Sequence, residues 1–176
     1  MARAFVAIGS NIDAAANVRA AVRALALRMP VVAISTVYRT EPEERPEQPP
    51  FYNCVVEINA EIAPLELKFQ VLRPIEEALE RRRTSDKYAP RTIDLDLILY
   101  DDLVLNCGGL VLPDPEIASR FFLAVPLAEV APGLILPGTG LRISRVAAAL
   151  AQDKAQPLKA YTALLRRDIR GFRKHK

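Results

Sequence analysis

Two carboxylates two residues apart, Asp94 and Asp96, stand in the run Pro90-Arg91-Thr92-Ile93-Asp94-Leu95-Asp96-Leu97. In a strand, residues at that spacing point to the same face, so the two acids project side by side while Ile93, Leu95 and Leu97 face the core. Adjacent carboxylates repel each other, and the repulsion costs free energy unless a cation lies between them. Oxygen donors without histidine or cysteine suit magnesium, which keeps water and takes substrate phosphates as further ligands. The bland alternative is a solvated strand edge with ordinary surface acids. Just upstream lie Arg81, Arg82, Arg83, Lys87 and Arg91. Guanidinium forks grip phosphate oxygens bidentately. Beside a carboxylate-bound magnesium they make a polyphosphate site, and alone they read as a solvated helix end. The chain carries neither a P-loop motif nor a glycine-rich dinucleotide fingerprint, so side chains would have to hold a nucleotide.

Other segments are weaker taken singly. Gly9-Ser10-Asn11 reads as a turn after a strand. Tyr38-Arg39-Thr40 and Phe51-Tyr52-Asn53 place aromatics near an asparagine, which could stack on and hydrogen-bond a flat heterocycle; equally, they fit a strand edge with core aromatics. The single histidine, His175, is penultimate and argues against a histidine-rich metal site or a Ser-His-Asp triad. Cys54 and Cys107 form no CxxC pair and no disulfide framework, so a reduced, cytoplasmic compartment is expected.

These residues need a scaffold. The chain has 176 residues, 51% apolar and 26% charged, enough for a globular core and short of any apolar run near membrane-spanning length. The net charge of +3 is uneven. Residues 157–176 hold seven Lys/Arg and one acid, a charge of +6, and the remainder carries −3. The main body is therefore no general polyanion binder. Periodicity predicts a strand over 5–8, a helix over 13–29, a strand over 31–38, a proline- and glutamate-rich surface loop over 41–50 and a strand over 51–62. A helix from Pro64 follows, with a kink at Pro74, then a loop over 80–91 and a strictly alternating strand over 92–100. That order is β-α-β-β-α-β, a ferredoxin-like α+β core with a mainly antiparallel sheet, two helices on one face and extra C-terminal helices. The domain is expected over 1–156, with 157–176 a basic helical extension whose apolar stripe packs on the domain or a neighbour.

Taken in order, the segments resemble one family. Ala7-Ile8-Gly9-Ser10-Asn11 matches its opening, and Tyr38-Arg39-Thr40 through Phe51-Tyr52-Asn53 its second block. Ile75-Glu76, Arg81 to Arg83 and the Pro90–Asp96 run match its signature. Leu112-Pro113-Asp114-Pro115, Arg120-Phe121-Phe122-Leu123 and Pro126-Leu127-Ala128-Glu129-Val130-Ala131-Pro132 match its last block. The chain resembles the 6-hydroxymethyl-7,8-dihydropterin pyrophosphokinases over about residues 3–140. The resemblance implies pyrophosphate transfer from ATP to the pterin hydroxymethyl group, with release of AMP, in folate biosynthesis. It implies two magnesium ions on Asp94 and Asp96, with Asp96 and the arginines Arg81, Arg83 and Arg91 catalytic. It places ATP near Glu76, Arg81, Arg83, Arg91, Leu97 and Arg120, and the pterin near Thr40, Pro42, Phe51, Asn53 and Phe122.

The chain also departs from the family pattern. Asp114 stands where a histidine is usual, Glu80 and Ala89 where glycines are usual, Tyr88 for a tryptophan, and Arg73 before Pro74 for a glutamine. Asp114 and Glu80 add negative charge where ATP would bind. A divergent paralogue that binds pterin or nucleotide without this turnover, or serves another pterin route such as methanopterin, is the alternative; retention of both Asp94 and Asp96 counts against it. Small-molecule substrates are the expected partners. Neither a membrane nor nucleic acid is, and the sequence leaves the oligomeric state open.

Overall fold

A computed structural model describes residues 1–42, 45–86, 88–151 and 155–173. Lys87, His175 and the last residues of the basic tail lie outside them. At the centre, β1 (Ala2–Ser10) and β4 (Phe51–Ala60) pair antiparallel from Ala2 with Ala60 to Ser10 with Tyr52. Both strands are rich in apolar residues, and Val6, Ile8, Val55, Val56 and Ile58 are buried. β5 (Asp94–Tyr100) lies antiparallel to β1 on the outer side. β2 (Val31–Ile34) and β3 (Tyr38–Thr40) both pair with β4 on its other side.

The sheet is antiparallel, in the order β5-β1-β4 with β2 and β3 beyond β4. That is the arrangement the β-α-β-β-α-β order requires when both crossovers are helical. The strand expected over 31–38 is two strands. Ser35 breaks it: its N–H reaches the Val55 carbonyl at 3.0 Å, and its hydroxyl accepts from the Val55 N–H at 2.9 Å. A side chain thus replaces one rung of the ladder, and the chain re-enters the sheet at Tyr38.

α1 (Ala14–Arg28) buries Val18, Ala21, Val22 and Leu25 on the sheet. The second crossover is helical from 64 to 78: α2 (Pro64–Glu66), a π-helical stretch (Leu67–Leu72) and α3 (Arg73–Ala78). The kink expected at Pro74 is taken up by that stretch. Proline lacks an N–H and crowds the carbonyl four residues back. The Arg73 N–H bonds the Lys68 carbonyl, five residues back, so the helix widens by a residue rather than breaking.

Two further expectations change. β5 alternates only as far as Leu97; Ile98 and Leu99 are both buried in a second core, opposite a register shift between Phe5 and Val6. Helices also cover both faces of the sheet. Leu95, Leu97, Val56 and Ile58 pack with α1 and the 64–78 helix on one face. On the other, Phe5, Val55 and Ile98 pack with α4 (Phe121–Val130) and α5 (Ile143–Leu150). A 3-10 turn at Pro115–Ala118 contributes Ile117 to this second core. A hairpin of β6 (Leu105–Cys107) and β7 (Leu110–Leu112) leads into it.

The basic tail is tied into the first core. β8 (Gln156–Pro157) adds an edge strand to β3, a position that tolerates the missing N–H of proline. α6 (Lys159–Arg173) then lies against α1. Leu165 is fully buried, Arg19 pairs with Asp168 at 2.7 Å, and Arg166 donates to the Ile34 carbonyl. The ion pair is partly open to water and counts for little; the burial of Leu165 and Ile169 carries the contact. Leu165→Ala should therefore lower the unfolding free energy by about 2–5 kcal/mol in urea titration, the cost of a core leucine. An unchanged midpoint would make α6 an appendage rather than part of the core.

Candidate functional site

The second face of the sheet is not fully covered. Beyond the N-terminus of α4 it opens into a cleft of about 700 Å³, with Gly9, Asn53, Asp94, Asp96 and Ile98 on its sheet side. Asp94 and Asp96 both line it, as the strand spacing predicts, while Leu95 and Leu97 are turned into the first core. The side chain of Leu97 is thus on the opposite face from the cleft.

Asp94 is met by arginines. Arg91 Nη1 donates to its Oδ2 at 2.6 Å, and Arg81 Nε stands 3.7 Å from its Oδ1. The Arg91 guanidinium also lies over the Phe51 ring, 5.6 Å from its centroid. Glu76, buried on the 64–78 helix, accepts from the Leu95 N–H at 2.9 Å and from Arg83 Nη2 at 2.6 Å. It thereby fastens the arginine loop to β5 between the two aspartates. Burial pushes the Glu76 carboxyl up, and Asp94 adds to this; the bonds to Leu95 and Arg83 oppose it. Glu76, Arg81 and Arg83 sit behind the cleft wall and reach it through Asp94 and Leu95.

Among the described residues, Asp96 has no such partner in its hydrogen bonds or ion pairs. Its carboxylate is open to the cleft yet surrounded by protein. Loss of water, then the charges of Asp94, Glu76 and Asp114, push it up to about 7, with Arg83 opposing. Among the described residues, no three His, Cys, Asp or Glu side chains converge tightly enough to hold a metal by themselves. Two carboxylates with an open cleft before them still suit a hard cation that completes its shell with water and phosphate oxygens.

The β3–β4 end of the cleft holds the polar and aromatic set, with Phe51 against the Arg91 that serves Asp94. Asn53 Nδ2 donates to Thr40 Oγ1 at 2.8 Å, across the β3–β4 ladder. A side chain on Gly9 would meet Asn53 Oδ1 at 2.8 Å, so glycine alone leaves room for that amide. Phe51, Pro42 and Phe122 complete this end, and Arg120 stands beside it at the start of α4. The cleft therefore gathers Thr40, Pro42, Phe51, Asn53, Arg91, Asp94, Asp96, Arg120 and Phe122.

Sequence reading missed Arg45, Gln48 and Phe121, which also line it. Arg45 pairs with Asp86 at 3.1 Å, and Gln48 donates to the Tyr88 carbonyl at 2.8 Å, so the 41–50 and 80–91 segments touch. Asn11 joins them, accepting from the Arg91 N–H at 2.8 Å and donating to Gln48. Such contacts span 37 to 80 residues and leave no local pattern. Glu80 has a left-handed φ of 58°, the physical reason a glycine suits that position. Asp114 lines the cleft as well, its carboxylate accepting from the Glu116 N–H at 2.8 Å. Cys54 is buried, its thiol pushed up to about 12, and supplies no nucleophile.

An antiparallel α+β fold with a carboxylate pair facing arginines defines a scaffold built for polyphosphate and a flat, polar second ligand. Several solved structures share the fold. One is wild-type HPPK-DHPS of Plasmodium falciparum, with a TM-score of 0.71 and 11% identity over 89% of this chain. The chain spans about half of that protein, 48% of its length. By sequence, the 2-amino-4-hydroxy-6-hydroxymethyldihydropteridine pyrophosphokinase of Methylorubrum extorquens is 41% identical over 145 residues, covering 81% of this chain and 90% of the relative. The enzyme of that name from Pseudomonas aeruginosa is 37% identical, covering 77% and 84%. The model of the 7,8-dihydro-6-hydroxymethylpterin-pyrophosphokinase (HPPK) family matches residues 5–132, and the chain belongs to that family.

The raised Asp96 carboxyl bears on the stability of the free protein. Its charged form is disfavoured in the fold, so it detracts from stability increasingly as pH rises from the ordinary aspartate range near 4, fully above about pH 7, and has no effect below that range. Asp96→Asn should therefore raise the thermal midpoint at pH 8 and leave it unchanged at pH 4. An equal gain at both pH values would contradict the assignment.

Proposed function

We propose that the chain catalyses transfer of the pyrophosphoryl group of ATP to the hydroxymethyl oxygen of 6-hydroxymethyl-7,8-dihydropterin, releasing AMP, as a step of folate biosynthesis in the cytoplasm. Family membership supports this reading. The observation that carries it is one cleft that holds both the Asp94–Asp96 pair with Arg91 and the Thr40–Asn53 bond with Phe122. The domain in this reading spans 1–156, with 157–176 as its basic helical extension.

The chain's residues divide the work by chemistry. Asn53 and Thr40 offer the amide and hydroxyl edge that an aminopyrimidinone ring needs, and Phe122, with Phe51 nearby, offers aromatic faces. Pro42 closes that end without adding a competing donor. Arg91 and Arg120 line the cleft and would take phosphate oxygens, as would Arg81 and Arg83 behind it. Arg91 now serves Asp94 and would be shared with the phosphates on binding. Glu76 holds Arg83 in place. Leu97 would contribute only main chain near the nucleotide, because its side chain is in the core.

Asp94 and Asp96 would hold magnesium, in this reading two ions, with phosphate and water filling the remaining positions. Bound magnesium neutralises charge on the transferred group and on the leaving AMP. Deprotonated Asp96 is required for that role, and a cation in the cleft would bring its carboxyl down. Arg45, Gln48 and Tyr88 line the cleft from the segments after β3 and before β5 and would help to exclude water, which otherwise competes for the pyrophosphoryl group.

The test is AMP release from ATP and magnesium, followed with and without the pterin. Wild-type protein should release AMP only when pterin is present, and Asp96→Ala should reduce the rate by about 100-fold or more, as loss of a group that stabilises transition-state charge does. Pterin binding by folded protein without AMP release would overturn the reading and favour the divergent paralogue.

A further inference from the structure

The block Pro126–Pro132 holds an acid, Glu129, that takes no part in the cleft chemistry. It lies near the C-terminal end of α4 and is exposed, yet both its carboxylate oxygens are engaged. Oε2 accepts from the Thr36 N–H at 2.6 Å, and Oε1 accepts from the Tyr38 hydroxyl. Both donors belong to the segment that re-enters the sheet after the Ser35 break. The Thr36 N–H faces away from any strand partner there, so the glutamate supplies the acceptor that the ladder does not.

Tyr38 connects this bond to the cleft in three ways. Its ring packs edge-on against Phe121, 5.4 Å between centroids at 87°, and Phe121 begins α4 and lines the cleft beside Phe122. Its main chain is in register with Asn53 on β4. Two residues on, the same strand carries Thr40, the partner of the Asn53 amide. One tyrosine thus touches the aromatic wall on α4 and belongs to the strand that carries the polar edge. The wall and the edge come from separate layers, and no covalent link shorter than 80 residues joins Thr40 to Arg120. Their separation is set by the packing of α4 on the sheet, on β4 and, through the contacts of Tyr38 with Phe121 and Glu129, on β3.

We infer that Glu129 is a positioning residue: by holding Tyr38 and Thr36 it fixes the gap between Phe122 on α4 and the Thr40–Asn53 edge, and so the fit of the flat ring. The inference rests on the pterin reading of the cleft and adds a residue outside it. Two hydrogen bonds accepted by one carboxylate, one from main chain and one from a side chain, give a two-point grip that neither an amide nor a shorter acid reproduces. Glutamine keeps one acceptor oxygen but turns an NH₂ toward a donor, and aspartate is one methylene short.

The test measures KM for pterin, KM for ATP and kcat in Glu129→Gln, Glu129→Ala and Tyr38→Phe, with thermal melts alongside. Tyr38→Phe keeps the ring and removes only the hydroxyl, so it remains informative if Glu129→Ala folds poorly. The expected result is a rise of about tenfold in KM for pterin with kcat and KM for ATP within about twofold, the pattern of lost binding common to ground and transition states. The double variant Glu129→Ala with Tyr38→Phe should be no worse than Glu129→Ala alone, because the two act through one bond. Unchanged pterin KM in Tyr38→Phe and Glu129→Gln, or an equal rise in both KM values, overturns the inference. Wild-type protein without pterin-dependent AMP release instead overturns the functional reading beneath it.

Discussion

Repulsion between Asp94 and Asp96 is the constraint around which this structure is arranged. Strand geometry places the two carboxylates on one face of β5, where both line the cleft. The fold answers unequally. Asp94 is neutralised by Arg91 and Arg81, while Asp96 has no ion-pair partner among the described residues and its carboxyl rises toward neutrality. Glu76, a third buried acid behind them, is balanced by Arg83 and by the Leu95 N–H. The result is a pair of oxygen donors, one compensated and one not, beside guanidinium groups already in place. Such a site stores unfavourable electrostatics in the free protein that a magnesium-bound polyphosphate would relieve.

The scaffold serves that site through its two faces. Apolar residues of β5 alternate with the acids, so anchoring Leu95 and Leu97 in the first core holds Asp94 and Asp96 at the cleft. The second core, built from Phe5, Val55, Ile98 and α4, stops short of the aspartates and leaves the cleft at its border. α4 ends the covered region with Arg120, Phe121 and Phe122, and so carries cation and aromatics to the open end. The cleft is floored by β1, β4 and β5 and rimmed by residues of the segments after β3 and before β5, so both strand register and those segments shape it.

Much of this was legible in the sequence, for identifiable reasons. The period of two over 92–97 revealed the carboxylate pair, and it failed at Ile98 and Leu99 because a register shift opposite Phe5 and Val6 cannot be seen locally. The helix from Pro64 was legible, but its response to Pro74 was not; a proline says that the ladder must change, not whether it bends or widens. The break at Ser35 hides inside a β-branched run because it depends on a hydroxyl bonding Val55 across the sheet. The cleft residues Thr40, Asn53, Arg120 and Phe122 came from ordered motifs, whereas Arg45, Gln48 and Phe121 enter through contacts between distant segments. Leu97 illustrates the limit of motif transfer: the position is near the site in sequence, and its side chain is on the opposite face.

Titration calorimetry with a non-hydrolysable ATP analogue tests the central claim most directly, because it reads the carboxylate–arginine site without requiring turnover. The account predicts binding that depends on magnesium, weakens sharply in Asp96→Ala, and proceeds without the pterin. Equally tight binding in the absence of magnesium, or the same affinity in Asp96→Ala, would contradict the view that the Asp94–Asp96 pair is a metal–polyphosphate site.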